Sequence, residues 1–206
     1  MSCTSSKGGV GAMIGVAAAL AFSAGTMVGA SERQPEMEEM DPMAMMAAMQ
    51  EANTLTEHHE RFESMVGVWD GVISADLPGG GMWESKGVMT NELVMGGRFV
   101  QGTWKGDMMG QPFTGVSLMG YSKLAGEYQS VWYDSTANQV NYYTGSANAD
   151  GTTTMMGEET DPMTGTTLAT KDILSMQDEN HMTMVRTYVT PTGEEPGFKI
   201  EYTRRK

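Results

Sequence analysis

Cysteine is almost missing from this chain: Cys3 is the single one in 206 residues. It precedes the one long apolar run, so lipid attachment at that residue is not expected. Once a leader is removed, no disulfide or thiol chemistry remains, which suits an exported compartment. Histidine is scarce too, at positions 58, 59 and 181. No His-x-x-x-His spacing occurs, which limits any histidine-based metal site. There is no Gly-x-Ser-x-Gly elbow, and no nucleophile–base pair stands out. Basic residues number 13 against 26 acidic ones, a formal net charge of −13. Nucleic acid and anionic membrane surfaces are poor partners for such a surface.

What is present begins with a leader. Residues 1–30 carry one charge, Lys7, then an apolar run over 10–22, and end in Val28-Gly29-Ala30 before Ser31. A basic start, a short apolar centre and a small-x-Ala end make a secretory signal peptide, with cleavage expected after Ala30. The protein is then exported, periplasmic or secreted, and free of the membrane. The alternative is an uncleaved anchor, since residues 10–28 could just span a bilayer. Losing Lys7 moves the formal net charge from −13 to −14.

Residues 31–53 are rich in Met and Glu and read as a linker that becomes helical from about Asp41. Met37, Met40, Met43, Met46 and Met49 follow a step of three. A helix turns about 300° over three residues, so these side chains drift around the cylinder instead of forming one stripe. The sharper reading is a thioether site for Cu(I), which soft sulfur favours, with or without Met108, Met109, Met155 and Met156. A short helix follows near residues 54–65, with Leu55, His58, Phe62 and Met65 at helical spacing. His58 and His59 are adjacent and so point apart.

Beyond Gly67 the punctuation is regular. Turn signals fall at residues 78–81, 95–97, 106–112, 124–126, 150–151, 161–165, 178–180 and 191–193. Runs rich in Thr, Val, Tyr, Trp and Phe lie between them. About ten strands are expected: 67–76, 82–94, 97–105, 112–121, 127–134, 138–147, 152–159, 166–177, 181–190 and 197–205. This is the mark of an all-β, antiparallel meander that closes into a barrel or sandwich, and an up-and-down barrel is the fold expected here. Residues 54–206 form that domain, with a short helix leading in. No alternation with helices supports a parallel sheet, and no Gly cluster opens a helix, so none is a phosphate loop. Interior glycines allow the bends that barrel closure needs. Gly67, one residue before Val68-Trp69, lets the helix approach the first strand while Trp69 plugs the closed end.

The order Val66-Gly67-Val68-Trp69-Asp70-Gly71, Gly96-Gly97-Arg98-Phe99, Pro112-Phe113-Thr114-Gly115 and Gly120-Tyr121 resembles the bacterial family catalogued as domain of unknown function 1579. The likeness continues through Tyr128, Trp132-Tyr133-Asp134-Ser135, Gly157-Glu158, Asp161-Pro162-Met163-Thr164-Gly165 and Tyr202-Thr203-Arg204. It implies a lipocalin- or nitrobindin-like barrel and no established activity. In the lipocalin architecture a basic residue of the last strand covers the tryptophan. Phe198, Ile200, Tyr202 and Arg204 share one face of that strand, and Lys199, Glu201, Thr203 and Arg205 the other. The apolar face should be inward, so Arg204 is the residue expected over Trp69, in a structural role.

The candidate site follows from the same alternation. Arg98, after two glycines, is expected at one mouth of a cavity, holding an anionic ligand head by a forked hydrogen bond; its bland reading is an exposed edge residue. Trp132, Tyr133, Tyr142, Tyr143 and Tyr188 supply aromatic walls, with only one of each adjacent pair facing in. Asp134 and Glu158 could pair across the barrel, or Asp134 could serve a turn. The leading expectation is a non-enzymatic barrel that binds a small apolar or amphipathic molecule, with no cofactor required. The rivals are the Met-rich copper site and an enzyme using Asp134, Glu158 or His181. Haem is a sub-case by resemblance to nitrobindin-type barrels, and would need His181 as an inward axial ligand.

Overall fold

Ten runs in which inward and outward residues alternate build one closed antiparallel barrel. The computed structural model describes residues 41–77, 79–161 and 164–206. The signal peptide with its cleavage point, Cys3, Met37 and Met40 lie outside the described residues. The strands are β1 (Gly67–Asp76), β2 (Met82–Val94), β3 (Phe99–Met108), β4 (Gln111–Ser122) and β5 (Glu127–Asp134), then β6 (Asn141–Ala147), β7 (Thr153–Thr160), β8 (Thr167–Asp178), β9 (His181–Thr190) and β10 (Gly193–Arg204). Each pairs with its sequence neighbour, and β10 returns to β1. Closure removes the sheet edge along most of the seam, although β10 over 193–198 has no β1 partner.

Several bounds differ from the sequence reading. Residues 106–112 are not one long turn. Met108 pairs with Gln111, and the reversal is made by Met109 and Gly110 alone, with φ of 52° and 82°. Two positive φ values are what a tight hairpin matched to strand twist requires, so Gly106 and Pro112 belong to the ladder. β6 starts later than expected, at Asn141, and β10 starts earlier, at Gly193. β10 carries a bulge between Pro196 and Lys199. Its ladder with β1 runs from Trp69↔Arg204 and stops at Ser74↔Lys199, whereas β1 stays paired with β2 as far as Asp76↔Met82.

Two helices precede the barrel. α1 (Pro42–Ala52) has proline in its first turn and buries none of its residues; Met43, Met45, Met46 and Met49 are all exposed on it. Lys123 holds its end by bonding the Glu51 carboxylate and carbonyl, both at 2.8 Å. Among the described residues no helix is long and apolar enough to cross a membrane. α2 (Glu57–Glu60) runs into a 3₁₀ turn over Arg61–Met65. Leu55 is outside this helix and exposed, because Thr56 is the N-cap, in a capping box with His59. His58 stacks on Tyr121 with centroids 3.9 Å apart and bonds the Tyr128 hydroxyl at 3.0 Å. Phe62, 1% exposed, sits among Val100, Tyr128, Tyr143 and Met155 and closes this end.

The closure of the barrel is locked at the same end. Trp69 is fully buried, and its indole N–H donates to the Met65 carbonyl at 2.9 Å. The Arg204 guanidinium lies 4.0 Å from the centre of its ring. That guanidinium donates to the carbonyls of Ser64 and Glu179, at 2.7 and 2.6 Å, and to that of Val66. One side chain therefore ties the last strand, the first strand, the 3₁₀ turn and the β8–β9 turn. Gly67 has φ of 130°, and a Cβ there would stand 2.6 Å from an Arg204 nitrogen; both facts require glycine. Arg205 faces outward and pairs with Asp70 at 2.6 Å, both half exposed.

Trp69→Ala is expected to cost about 3–5 kcal/mol, as for a large buried aromatic. Arg204→Ala should cost about 2–4 kcal/mol, because the ring cover and the charged hydrogen bonds go together. The double variant should lose less than the sum of the two. Arg205→Ala should leave the urea midpoint unchanged. Equilibrium urea denaturation of the four proteins checks all of this.

Candidate functional site

The inward residues do not fill the barrel. They surround a cavity of about 470 Å³, within the range of small-molecule sites. Glycines on the inner face create part of this room. A Cβ at Gly87 would lie 2.3 Å from the Trp104 ring, one at Gly71 2.4 Å from it, and one at Gly115 2.2 Å from the Trp132 ring. Both indoles thus rest against bare backbone, which keeps their bulk at the wall. Met89, Phe113, Tyr143, Met155, Met182, Ile200 and Tyr202 extend the apolar lining.

Alternation settles the adjacent aromatic pairs. Trp132 faces in while Tyr133 is exposed, and Tyr143 faces in while Tyr142 is exposed. Tyr188 lines the cavity. Its hydroxyl pKa is raised, first by burial and then by the Glu159 carboxylate. Asp134 both lines the cavity and serves a turn. Its Oδ1 accepts from the Thr136 backbone and hydroxyl, at 2.8 and 2.6 Å, and its Oδ2 from the Trp132 indole at 3.0 Å. Burial pushes this carboxyl up, but those hydrogen bonds outweigh it and hold the pKa below the ordinary value.

Other expectations are displaced. Glu158 cannot pair with Asp134, because it lies exposed on the outer face of β7 while Glu159, one residue on, enters the cavity. Arg98 is exposed in the turn before β3, at the helix-capped end, and reaches the Asn53 carbonyl at 3.4 Å. It does not line the cavity, because the chain is still turning there and β3 begins at Phe99. His181 is exposed at the start of β9 and pairs with Asp178 at 2.9 Å. None of the three histidines lines the cavity, so the lumen offers haem no imidazole ligand. Among the described residues no three His, Cys, Asp or Glu side chains group as a metal site. Met108 and Met155 face the lumen, while Met109 and Met156 are exposed outside it; alternation parts Met155 from Met156, and the hairpin turn carries Met109 away from Met108.

The charge centre of the lumen was not apparent from sequence. Arg186 on β9 is paired in register with Asp172 on β8. It bonds that carboxylate through Nε at 2.7 Å and Nη2 at 2.6 Å, Glu159 through Nη1 at 3.0 Å, and the Tyr143 hydroxyl at 3.1 Å. Its Cζ is also 5.2 Å from the Tyr143 ring centre and 5.1 Å from that of Phe198. Burial opposes the guanidinium charge, but Asp172 and then Tyr143 and Glu159 outweigh it, so the pKa of Arg186 is raised. The available signal was parity: Arg186 stands between Met184 and Tyr188 at steps of two, on the inward face.

A family described as a protein of unknown function (DUF1579) matches residues 54–204. No curated protein matches the chain. Two solved structures are similar in fold. One is the S-type phycobiliprotein lyase CPES from Guillardia theta, with a TM-score of 0.52 and 14% identity over 77% of this chain and 97% of that one. The other is Rv2717c from M. tuberculosis, with a TM-score of 0.52 and 14% identity over 74% of this chain and 100% of that one.

The buried pair can be tested by partial and complete removal. Asp172→Ala leaves a guanidinium without its main partner and should cost about 3–5 kcal/mol. Replacing both members, with Asp172→Leu and Arg186→Met, should cost clearly less than the single change. Thermal and urea unfolding of both variants measures the difference.

Proposed function

The chain belongs to the DUF1579 family, and from that premise we propose that its barrel holds a small, mainly apolar molecule without transforming it. One observation carries this reading: a lumen of about 470 Å³ walled mainly by tryptophan, phenylalanine, tyrosine and methionine, with polar and charged side chains in the minority. Burying an apolar molecule against such a wall yields roughly 25 cal/mol per Å² of surface before the costs of association.

The polar groups argue for holding over catalysis. A general acid or base works best with a pKa near the working pH. Asp134 is shifted the other way, Asp172 is locked by two bonds to Arg186, and no histidine reaches the lumen. The proposal includes export, which rests on the composition of residues 1–30.

The neutral dye N-phenyl-1-naphthylamine should brighten on binding the purified protein and be displaced by apolar molecules. Ser130→Phe places a ring in the lumen from β5, and should weaken dye binding at least about tenfold while the strand signal in circular dichroism is kept. Unchanged binding in that folded variant would sink the cavity reading. Native mass spectrometry of protein from its own host would show any retained molecule.

A further inference from the structure

The site is the cavity; its charges indicate what class of molecule fits it. Four ionisable side chains with fixed charge signs line it: Arg186, Asp134, Glu159 and Asp172. No lysine and no histidine is among the lining residues. The carboxylates therefore outnumber the single cation.

Arg186 is also unavailable. A guanidinium has five N–H donors, and four hydrogen bonds to Asp172, Glu159 and Tyr143 use all but one of them. The rings of Tyr143 and Phe198 flank it as well. An incoming anion would have to break bonds that a buried charge pair loses at high cost. It would also meet three carboxylates.

Two of those carboxylates are not consumed in the same way. Arg186 engages Glu159 by one oxygen only, and the Glu159 side chain is 30% exposed. Asp134 joins no ion pair among the described residues, and its partners are the neutral Thr136 and Trp132. The Trp132 ring beside it is stacked with Phe113, centroids 6.4 Å apart. A carboxylate next to aromatic faces is a setting for an organic cation, which gains from both. The raised pKa of Tyr188 reports the same field, since Glu159 and Asp172 add to burial there against Arg186.

We infer that the occupant of this lumen is an amphipathic amine: an apolar body within the barrel and a protonated nitrogen placed at Glu159 and Asp134. This rests on the cavity reading and narrows it. β5 and β7, which carry Asp134 and Glu159, are separated only by β6. Both side chains stand near the strand ends farthest from the helix cap, so the cation would lie toward that end.

The test compares three chains of equal length as competitors of N-phenyl-1-naphthylamine at pH 7: dodecylamine, dodecanol and dodecanoate, each below its micelle or solubility limit. The amine should compete about tenfold or more better than the alcohol, and the carboxylate worst, as expected for one charge-assisted hydrogen bond. Glu159→Gln and Asp134→Asn should each cut the amine's advantage over the alcohol several-fold. Glu158→Gln makes the same charge change on the outer face and should leave the advantage intact. Equal competition by amine and alcohol, or a preference for dodecanoate, overturns this inference while leaving the cavity reading in place. Failure of all three chains and of the dye overturns both. If Glu159→Gln loses its strand signal, Asp134→Asn decides the matter.

Discussion

A sheet of ten sequential strands becomes a barrel only if its last strand finds its first, with Trp69 and Arg204 paired across 134 intervening residues. That contact carries the greatest loop-closure cost in the molecule and is the one on which the cavity depends. It is made by a ring and a guanidinium at a distance of 4.0 Å. The guanidinium then satisfies carbonyls that strand pairing leaves free at the seam, those of Ser64, Val66 and Glu179. Phe62 covers the same end from the 3₁₀ turn. With this end sealed, the lumen is apolar toward the cap and polar where Asp134 and Glu159 stand.

The fold was legible because its signals are local. Turn residues fix where strands stop, and a period of two assigns each side chain to one face. Parity alone sorted Arg204 from Arg205, and it required that only one of Trp132 and Tyr133 face in. Its failures came where a boundary or a partner had to be known first. Arg98 follows a double glycine that looks like the start of a strand, yet the chain needs residues 95–98 to turn. Glu158 and Glu159 differ by one residue, and without the β7 register either could face in. The Asp172–Arg186 pair joins two strands across a hairpin, so it becomes visible only when the register is set. Met109 was read as part of a broad turn because a methionine at positive φ has no sequence signature.

The lumen combines two demands that conflict. It has to remain open, which glycines beneath Trp104 and Trp132 permit by letting the rings lie at the wall. It also has to stay ordered around a buried charge, which costs desolvation that Asp172, Glu159 and Tyr143 offset by geometry. Arg186 fixes the relative positions of β6, β7, β8 and β9 from the inside, as Arg204 fixes β1 and β10 at the cap. Two arginines thus organise the two ends of the interior, one against rings and carbonyls, the other against carboxylates and a phenol.

The bulge in β10 makes the wall uneven. The β1–β10 ladder stops at Ser74↔Lys199, while the neighbouring β1–β2 ladder continues to Asp76↔Met82. Regarded as a hoop, the barrel has three weaker joints: the β5–β6 and β6–β7 ladders, of five pairs each, and the β1–β10 seam, where β10 has no β1 partner over 193–198. That seam is next to Arg186 and Phe198, where a second hollow of about 430 Å³ meets the wall. The girth of the barrel is therefore set at two places on its circumference, this seam and β6, which is held by short ladders on both sides.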